Sequence, residues 1–236
     1  MDIRNMSSYS LTKHQIYNCD ETALYWKALP RKTLASGSET WAPGFSMQKE
    51  RLSVLVCSNA SGDHKLPLAV IGKSKNPRAL KGVNMATLPL HYYSQKNGWM
   101  NTDIFSDWFH NVFVPDVVNY LEHKHLSEEA VLLMDNAPCH DANIISANGK
   151  ITCCALPART TSLIQPMDQG VIQNLKGRYS RLLVKKVLKY FDGNMKDCLK
   201  KYTIKDALLN ISISWNDMRE AGINYFHLKR IIILHW

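Results

Sequence analysis

VLLMDNAPCH (Val131–His140) opens, and TTSLIQPMDQG (Thr160–Gly170) closes, the stretch on which the reading of this 236-residue chain turns. Each half carries one acid that folding alone explains poorly. Asp135 ends the apolar run Val131–Met134. Asp168 lies just past Gln165-Pro166, where a new helix is expected to begin. A third acid, Asp20 in IYNCDET (Ile16–Thr22), has the setting of Asp135, at the end of an apolar run. Acids that end or open regular elements far apart in sequence point to a divalent-metal site. Hard cations such as Mg²⁺ take carboxylate oxygens and keep positions open for substrate phosphate. One alternative stays open for Asp168, because an acid near a helix start also serves as a cap.

Residues 1–13 read as a loose lead-in, and His14–Cys19 as a short strand delivering Asp20, after which the chain turns away through Pro30. Ala35–Glu50, with Gly37, Pro43 and Gly44, reads as loop. Arg51–Lys73 reads as a hairpin: Leu52, Val54 and Val56 alternate with Ser53, Leu55 and Cys57, Asn59–Gly62 supplies the turn, and Leu66–Ile71 returns. Lys73–Gly82 is a basic loop whose Lys73, Lys75, Arg78 and Lys81 are more simply solvated than bound to phosphate. Trp99–Lys124 reads as a helix capped by Asn101 or Thr102, buried along Phe105, Trp108, Phe109 and Val112, and kinked or restarted at Pro115. A connection over Ala137–Gly149 leads to a strand at Ile151–Leu156.

After Pro157–Gln165 comes a long amphipathic helix. Val171, Leu175, Tyr179, Leu182 and Val187 lie near one face, and Arg178, Arg181, Lys185 and Lys189 form a basic stripe on another. The order of three strands, helix, strand, connection, strand and helix points to an α/β fold with helices covering a mixed central sheet. The ribonuclease-H-like fold has this order. Its first and fourth strands lie side by side, which would bring Asp20 to Asp135, with the following helix presenting Asp168 to the same point. Past Leu188 the pattern weakens, with a short helix expected over Asp206–Trp215. The end, HLKRIIILHW, reads as truncated or altered. The chain thus divides into the lead-in, a domain over 14–190 and a helical, basic extension over 191–236.

Composition narrows the partners. The chain is 45% hydrophobic, enough for one sizeable core. No run approaches the roughly 18 apolar residues of a membrane span, so no membrane partner is expected. The first ten residues have no apolar signal region. Six cysteines without a CxxC pair fit reduced thiols in a nuclear or cytosolic protein. The net charge is +9; residues 170–236 hold 13 Lys and Arg against 5 Asp and Glu, leaving +1 on the rest. That asymmetry suits a polyanion such as DNA, although Lys-rich helices are also simply solvated.

The blocks YNCDETALYWKALPRKTL, KERLSVLVCSNASGDHKLPLAVIGKSKNPRALK, YYSQKNGWM, LLMDNAPCH and TTSLIQPMDQGVIQNLK together resemble the DDE endonuclease domain of the pogo/Tigger/jerky branch of mariner-type transposases. The resemblance covers roughly residues 14–188. It implies a ribonuclease-H-like fold, an Asp-Asp-Asp triad matched here by Asp20, Asp135 and Asp168, Mg²⁺ with Mn²⁺ as substitute, DNA as partner, and a nuclear location. A homodimer is a candidate assembly. Family members carry a helix-turn-helix region before this domain, and here Met1 lies almost directly before the first strand, so that region is expected to be absent. Where relatives read Pro-Asn-Thr-Thr, this chain reads Ala158-Arg159-Thr160-Thr161.

Two Mg²⁺ ions can clamp the attacking and leaving oxygens of a phosphodiester. Asp20 is then expected to bridge them, with Asp135 and Asp168 holding one each. Metal-free, three clustered carboxylates repel, and at least one should take up a proton. Asn136 and His140 flank the second acid, and Gln165 and Gln169 the third, as candidates to orient a ligand. Glu21 should point to the opposite face of the strand and is not assigned to the metal. The functional reading is a metal-dependent DNA endonuclease with strand transfer. The alternative is a domesticated DNA-binding protein that keeps the fold without the reaction.

Overall fold

A computed structural model describes residues 11–29, 50–157, 165–191, 195–220 and 223. The expectations for residues 1–10, Pro30, the loop from Ala35, the tetrad Ala158-Arg159-Thr160-Thr161 and the terminal HLKRIIILHW lie outside them.

Six strands form one mixed sheet in the order β4-β3-β2-β1-β5-β6. β1 (Ile16–Tyr25), β2 (Arg51–Asn59) and β3 (Ala69–Gly72) are antiparallel neighbours. β4 (His91–Ser94) runs parallel to β3, and β5 (Ala130–Met134) and β6 (Ile151–Ala155) run parallel on the other side of β1. The expected pairing of β1 with the Val131 strand is therefore present, through Ile16↔Val131, Tyr17↔Leu132 and Asn18↔Leu133.

Helices cover both faces, which is why β2 is buried along nearly its whole length and not on alternate residues only. One face packs on α1 (Thr102–Trp108), a π-helical turn (Phe109–Phe113) and α2 (Val114–His123). Phe105, Trp108, Phe109, Phe113, Val117 and Leu121 meet Tyr17, Cys19, Leu55, Cys57, Leu132 and Met134 there. Asn101 caps α1, its side chain accepting from Ile104 N at 3.0 Å. The other face packs on α3 (Ile172–Leu188), α4 (Met195–Lys201) and α5 (Ile204–Asn216). Leu24, Val54, Val56 and Val70 of the sheet share that core with Leu175, Tyr179, Leu183, Leu208 and Trp215. A box at Thr203 and Asp206 caps α5. Among the described residues no helix is long and apolar enough to cross a membrane.

Several expectations shift. β1 does not end at Cys19 but continues to Tyr25, so Asp20 sits inside the strand, opposite Val56 of β2. The return strand begins at Ala69, not Leu66, although Lys65 makes an isolated bridge to Ser58. β4 is a strand the sequence did not announce: four residues held in register by β3 rather than by their own pattern. Pro115, by contrast, restarts the helix as expected: it falls in the first turn of α2 directly after the π-helical turn, where its missing N–H is tolerated. Leu183, not Leu182, completes the buried row of α3, at a strict spacing of four with Val171, Leu175, Tyr179 and Val187. α4 lies in the segment expected to be helical, though its bounds were not placed from the sequence.

Trp215 joins α5 to the hairpin. It is 1% exposed, and its indole Nε1 donates to Leu66 O at 2.8 Å. Trp215→Ala should lower the unfolding free energy by about 3–5 kcal/mol in urea denaturation. A loss below about 1 kcal/mol would show that α5 lies outside the cooperative unit.

Candidate metal centre

β1 carries polar residues at the centre of the sheet, where burial without partners costs stability. Strand alternation divides them between the two faces. Tyr17 and Cys19 enter the α1–α2 core, while Asn18 and Asp20 look toward α3. Asn18 is fully buried. Its Nδ2 donates to Leu133 O at 3.0 Å and to Gln165 Oε1 at 2.9 Å, and its Oδ1 accepts from Met167 N at 3.2 Å. Gln165, also fully buried, donates through Nε2 to Cys19 O at 2.9 Å. Two amides thus fasten the head of the α3 segment to β1 and to the end of β5.

That fastening and the β1–β5 register bring Asp135 and Asp168 into electrostatic range of Asp20, although the three carboxylates do not all approach within 4.8 Å of one another. The parallel register, carried two residues beyond Asn18↔Leu133, sets Asp20 beside Asp135. Asp20 is 8% exposed. Burial, and then the negative charges of Asp168, Glu21 and Asp135, push its carboxyl up to about 8. Asp20 therefore senses both of the other sequence-derived acids. Asp135 is half-buried and held below the ordinary carboxylate range, first by its hydrogen bond with His140. Asp168 stands exposed in a π-helical turn (Met167–Val171) that precedes α3. The N-cap position of that turn is Pro166, without a side-chain cap, so among the described residues no capping hydrogen bond is seen there.

His140 lies on the other side of Asp135. Its Nδ1 is 2.7 Å from Asp135 Oδ1 and its Nε2 is 2.9 Å from Glu21 Oε1, with the ring centroid 4.7 Å from that of Phe105. Burial opposes its charge, but the hydrogen bonds to Asp135 and Glu21 outweigh that and raise it to about 11, so it is an imidazolium at neutral pH. Asn136 is exposed, and the side chain of Gln169 lies outside the described residues. On α3, Arg178 is half-buried and bonded to Asn174 at 3.0 Å, while Arg181, Lys185 and Lys189 are exposed.

Sequence reading passed over three participants. Asn18 was visible only as a polar residue two before Asp20, on the same face. Glu21 was placed on the correct face without its partner, because His140 is 119 residues away. Lys176, half-buried, has its ammonium pushed down by burial and held up by Asp168 and Asp20, which marks it as a cation near the acids. Three carboxylates offering only oxygen suit a hard divalent cation, and the lifted proton affinity of Asp20 is what a cluster short of positive charge produces.

A mixed sheet with antiparallel β1–β3, parallel β1–β5–β6, helices on both faces and an acid on its central strand is a ribonuclease-H-like fold. Within that class, the chain belongs to the DDE superfamily endonuclease family, which it matches over residues 49–226. It is 37% identical over 224 residues to human Tigger transposable element-derived protein 7, covering 89% of this chain and 41% of that protein. To the human Jerky protein homolog it is 36% identical over 214 residues, covering 89% and 36%. The chain thus spans well under half the length of these relatives. Among solved structures, the Mos1 mariner paired end complex with Mn superposes with a TM-score of 0.45 at 12% identity, over 98% of this chain and 59% of that one.

Asp20 yields a pH prediction for metal-free protein. Its folded value near 8 lies above the ordinary 3.8, so the folded state holds this proton more tightly than the unfolded chain. Its contribution therefore opposes folding increasingly as pH rises from about 4 to about 8, and levels off above. Asp20→Asn removes that penalty. In EDTA, the melting temperature of Asp20→Asn minus that of wild type should grow steadily from pH 5 to pH 8; a difference independent of pH would contradict a buried Asp20 among like charges.

Proposed function

We propose that this chain is a metal-dependent DNA phosphodiesterase domain of transposase descent, with Asp20, Asp135 and Asp168 as its cation ligands and catalytic carboxylates. The observation that supports this most is Asp20: a carboxyl group buried on the central strand, its proton affinity raised by burial and by the negative charges of two further acids of the expected triad. Mg²⁺, or Mn²⁺ in its place, would supply Lewis-acid activation of the attacking water or DNA 3′-OH and stabilisation of the leaving oxygen.

The chain's own residues divide the remaining work. Asp20, sunk in the sheet, offers a ligand fixed by its strand. Asp135 has one oxygen held by His140 Nδ1, which sets the carboxylate plane. Asp168 faces solvent at the head of α3, the side from which a DNA backbone must arrive. Asn18 and Gln165 hold that head in place. Lys176 supplies positive charge beside the acids. Arg178, Arg181, Lys185 and Lys189 continue along α3 as a track for phosphates. Strand transfer reuses the same site with a DNA 3′-OH as nucleophile, and DNA as partner makes the nucleus the place of action.

Asp168→Asn separates a ligand from a residue of merely local role. The variant should melt no lower than wild type without metal, because repulsion among the acids falls. It should lose Mg²⁺-dependent nicking of duplex DNA by orders of magnitude, each tenfold corresponding to about 1.4 kcal/mol of transition-state stabilisation. Equal Mn²⁺ affinity in the variant and wild type by calorimetry would refute the ligand role. Wild type that binds duplex and Mn²⁺ yet never nicks would instead support a domesticated DNA-binding protein that keeps the fold.

The basic track has its own test. Replacing Arg178, Arg181, Lys185 and Lys189 together by Gln should weaken duplex binding without regard to sequence. For every phosphate no longer neutralised, the slope of log K against log salt should fall by about 0.9. An unchanged slope and affinity would remove α3 from the DNA interface.

A further inference from the structure

We propose that Glu21, Cys139 and His140 form a second metal site, for a thiophilic transition-metal ion of the Zn²⁺ class, on the opposite side of β1 from the carboxylate centre. One ligand atom from each, a carboxylate oxygen, a thiol sulfur and an imidazole nitrogen, lies within 4.8 Å of the other two. They come from two distant parts of the chain: Glu21 from β1, and the consecutive Cys139 and His140 from the turn that follows β5. Neither spacing nor composition would have joined them.

The local geometry favours a ligand role. His140 Nδ1 is engaged by Asp135 at 2.7 Å, which leaves Nε2 as the nitrogen directed at Glu21. A ring with one nitrogen on a carboxylate and the other on the ion is the usual arrangement of a metal-bound histidine. Contact with Phe105 holds the ring plane. The donor set of one sulfur, one nitrogen and one oxygen selects a borderline ion and disfavours Mg²⁺, which prefers oxygen alone.

The distances ask for modest movement. A tetrahedral ion with bonds near 2.0–2.1 Å to N and O and 2.3 Å to S sets its ligands about 3.3–3.6 Å apart. The His140–Glu21 contact at 2.9 Å opens slightly, and the sulfur closes in from within its 4.8 Å. On binding, the ion takes the place of the proton between Nε2 and Glu21 and of the Cys139 thiol proton, so two protons leave to solvent. Three protein ligands leave a fourth position for water, and the half-buried Cys139 and Glu21 leave a way in from solvent. Because the same ring also holds Asp135, an ion here would tie the two centres together. That consequence, unlike the site itself, rests on the reading of Asp135 as a ligand.

Titration of the full chain with Co²⁺, a spectroscopic stand-in for Zn²⁺, tests the proposal. Wild type should develop a thiolate-to-cobalt charge-transfer band in the near ultraviolet and tetrahedral visible bands, both abolished by one equivalent of Zn²⁺. Cys139→Ser, at a half-buried turn position, should lose the charge-transfer band and bind Zn²⁺ at least tenfold more weakly. Glu21→Gln should keep the sulfur band and also bind more weakly. Asp168→Asn should keep every band, which separates this site from the carboxylate centre whatever becomes of that reading. Zn²⁺ at about a hundred times its Kd should raise the melting temperature of wild type by roughly 5 °C or more, and that of Cys139→Ser by less. A charge-transfer band that survives Cys139→Ser, or cobalt binding by wild type without any sulfur band, would overturn the proposal.

Discussion

Asn18 and Gln165 are fully buried amides, 147 residues apart, that spend their donors and acceptors on one another and on Leu133 O, Cys19 O and Met167 N. Leaving any one of those groups unpaired in this interior would cost about 1–3 kcal/mol, so the arrangement is specific as well as stable. It admits one placement of the α3 head against β1 and β5. Asp168 follows Met167 by one residue, and Asp20 follows Asn18 by two on the same face. The position of the carboxylates relative to each other is therefore set by neutral amides, not by the acids, whose mutual charges oppose the approach.

That division of labour explains the electrostatics. The sheet core would exclude a charge such as Asp20, and the amide fastening forces it to remain among like charges. Compensation comes from two directions. His140 stays an imidazolium because it sits between Asp135 and Glu21, and it draws Asp135 below its ordinary range. Lys176 stands near Asp168 and Asp20 on the α3 side. Asp20 itself is left short of positive charge, the state a divalent cation would relieve. β1 thus serves two faces at once: Asn18 and Asp20 toward α3, and Glu21 toward the histidine behind it.

The layers follow from the same strand. Because both faces of the sheet are covered, burial runs almost unbroken along β2 and β5; β5 is apolar throughout, while β2 carries the buried Ser53, Ser58 and Asn59, and β1 its buried Asn18 and Asp20. α3 divides its sides accordingly, with Leu175, Tyr179 and Leu183 in the core and Arg181, Lys185 and Lys189 in solvent. One helix thereby links the buried fastening at its head to a basic surface along its length.

By itself the sequence determined the strands with strong apolar runs, the Asn59–Gly62 turn, the aromatic stripe of α1, the basic stripe of α3 and the three acids at their motifs, because these depend on local period and on residue type. Only the tertiary structure decided the rest. β4 owes its register to β3, so its four residues carry no pattern of their own. The buried row of α3 takes Leu183 over Leu182 because the packed sheet discriminates between neighbours that helical periodicity leaves almost equivalent. Glu21 becomes a neighbour of Cys139 and His140 only when β5 lies parallel to β1. Asp20 moved from a strand end to a strand interior because its hydrogen-bonded partner, β2, runs on past it. Contacts between distant segments cost chain entropy and are repaid only by the completed core, so a reading confined to local windows does not see them.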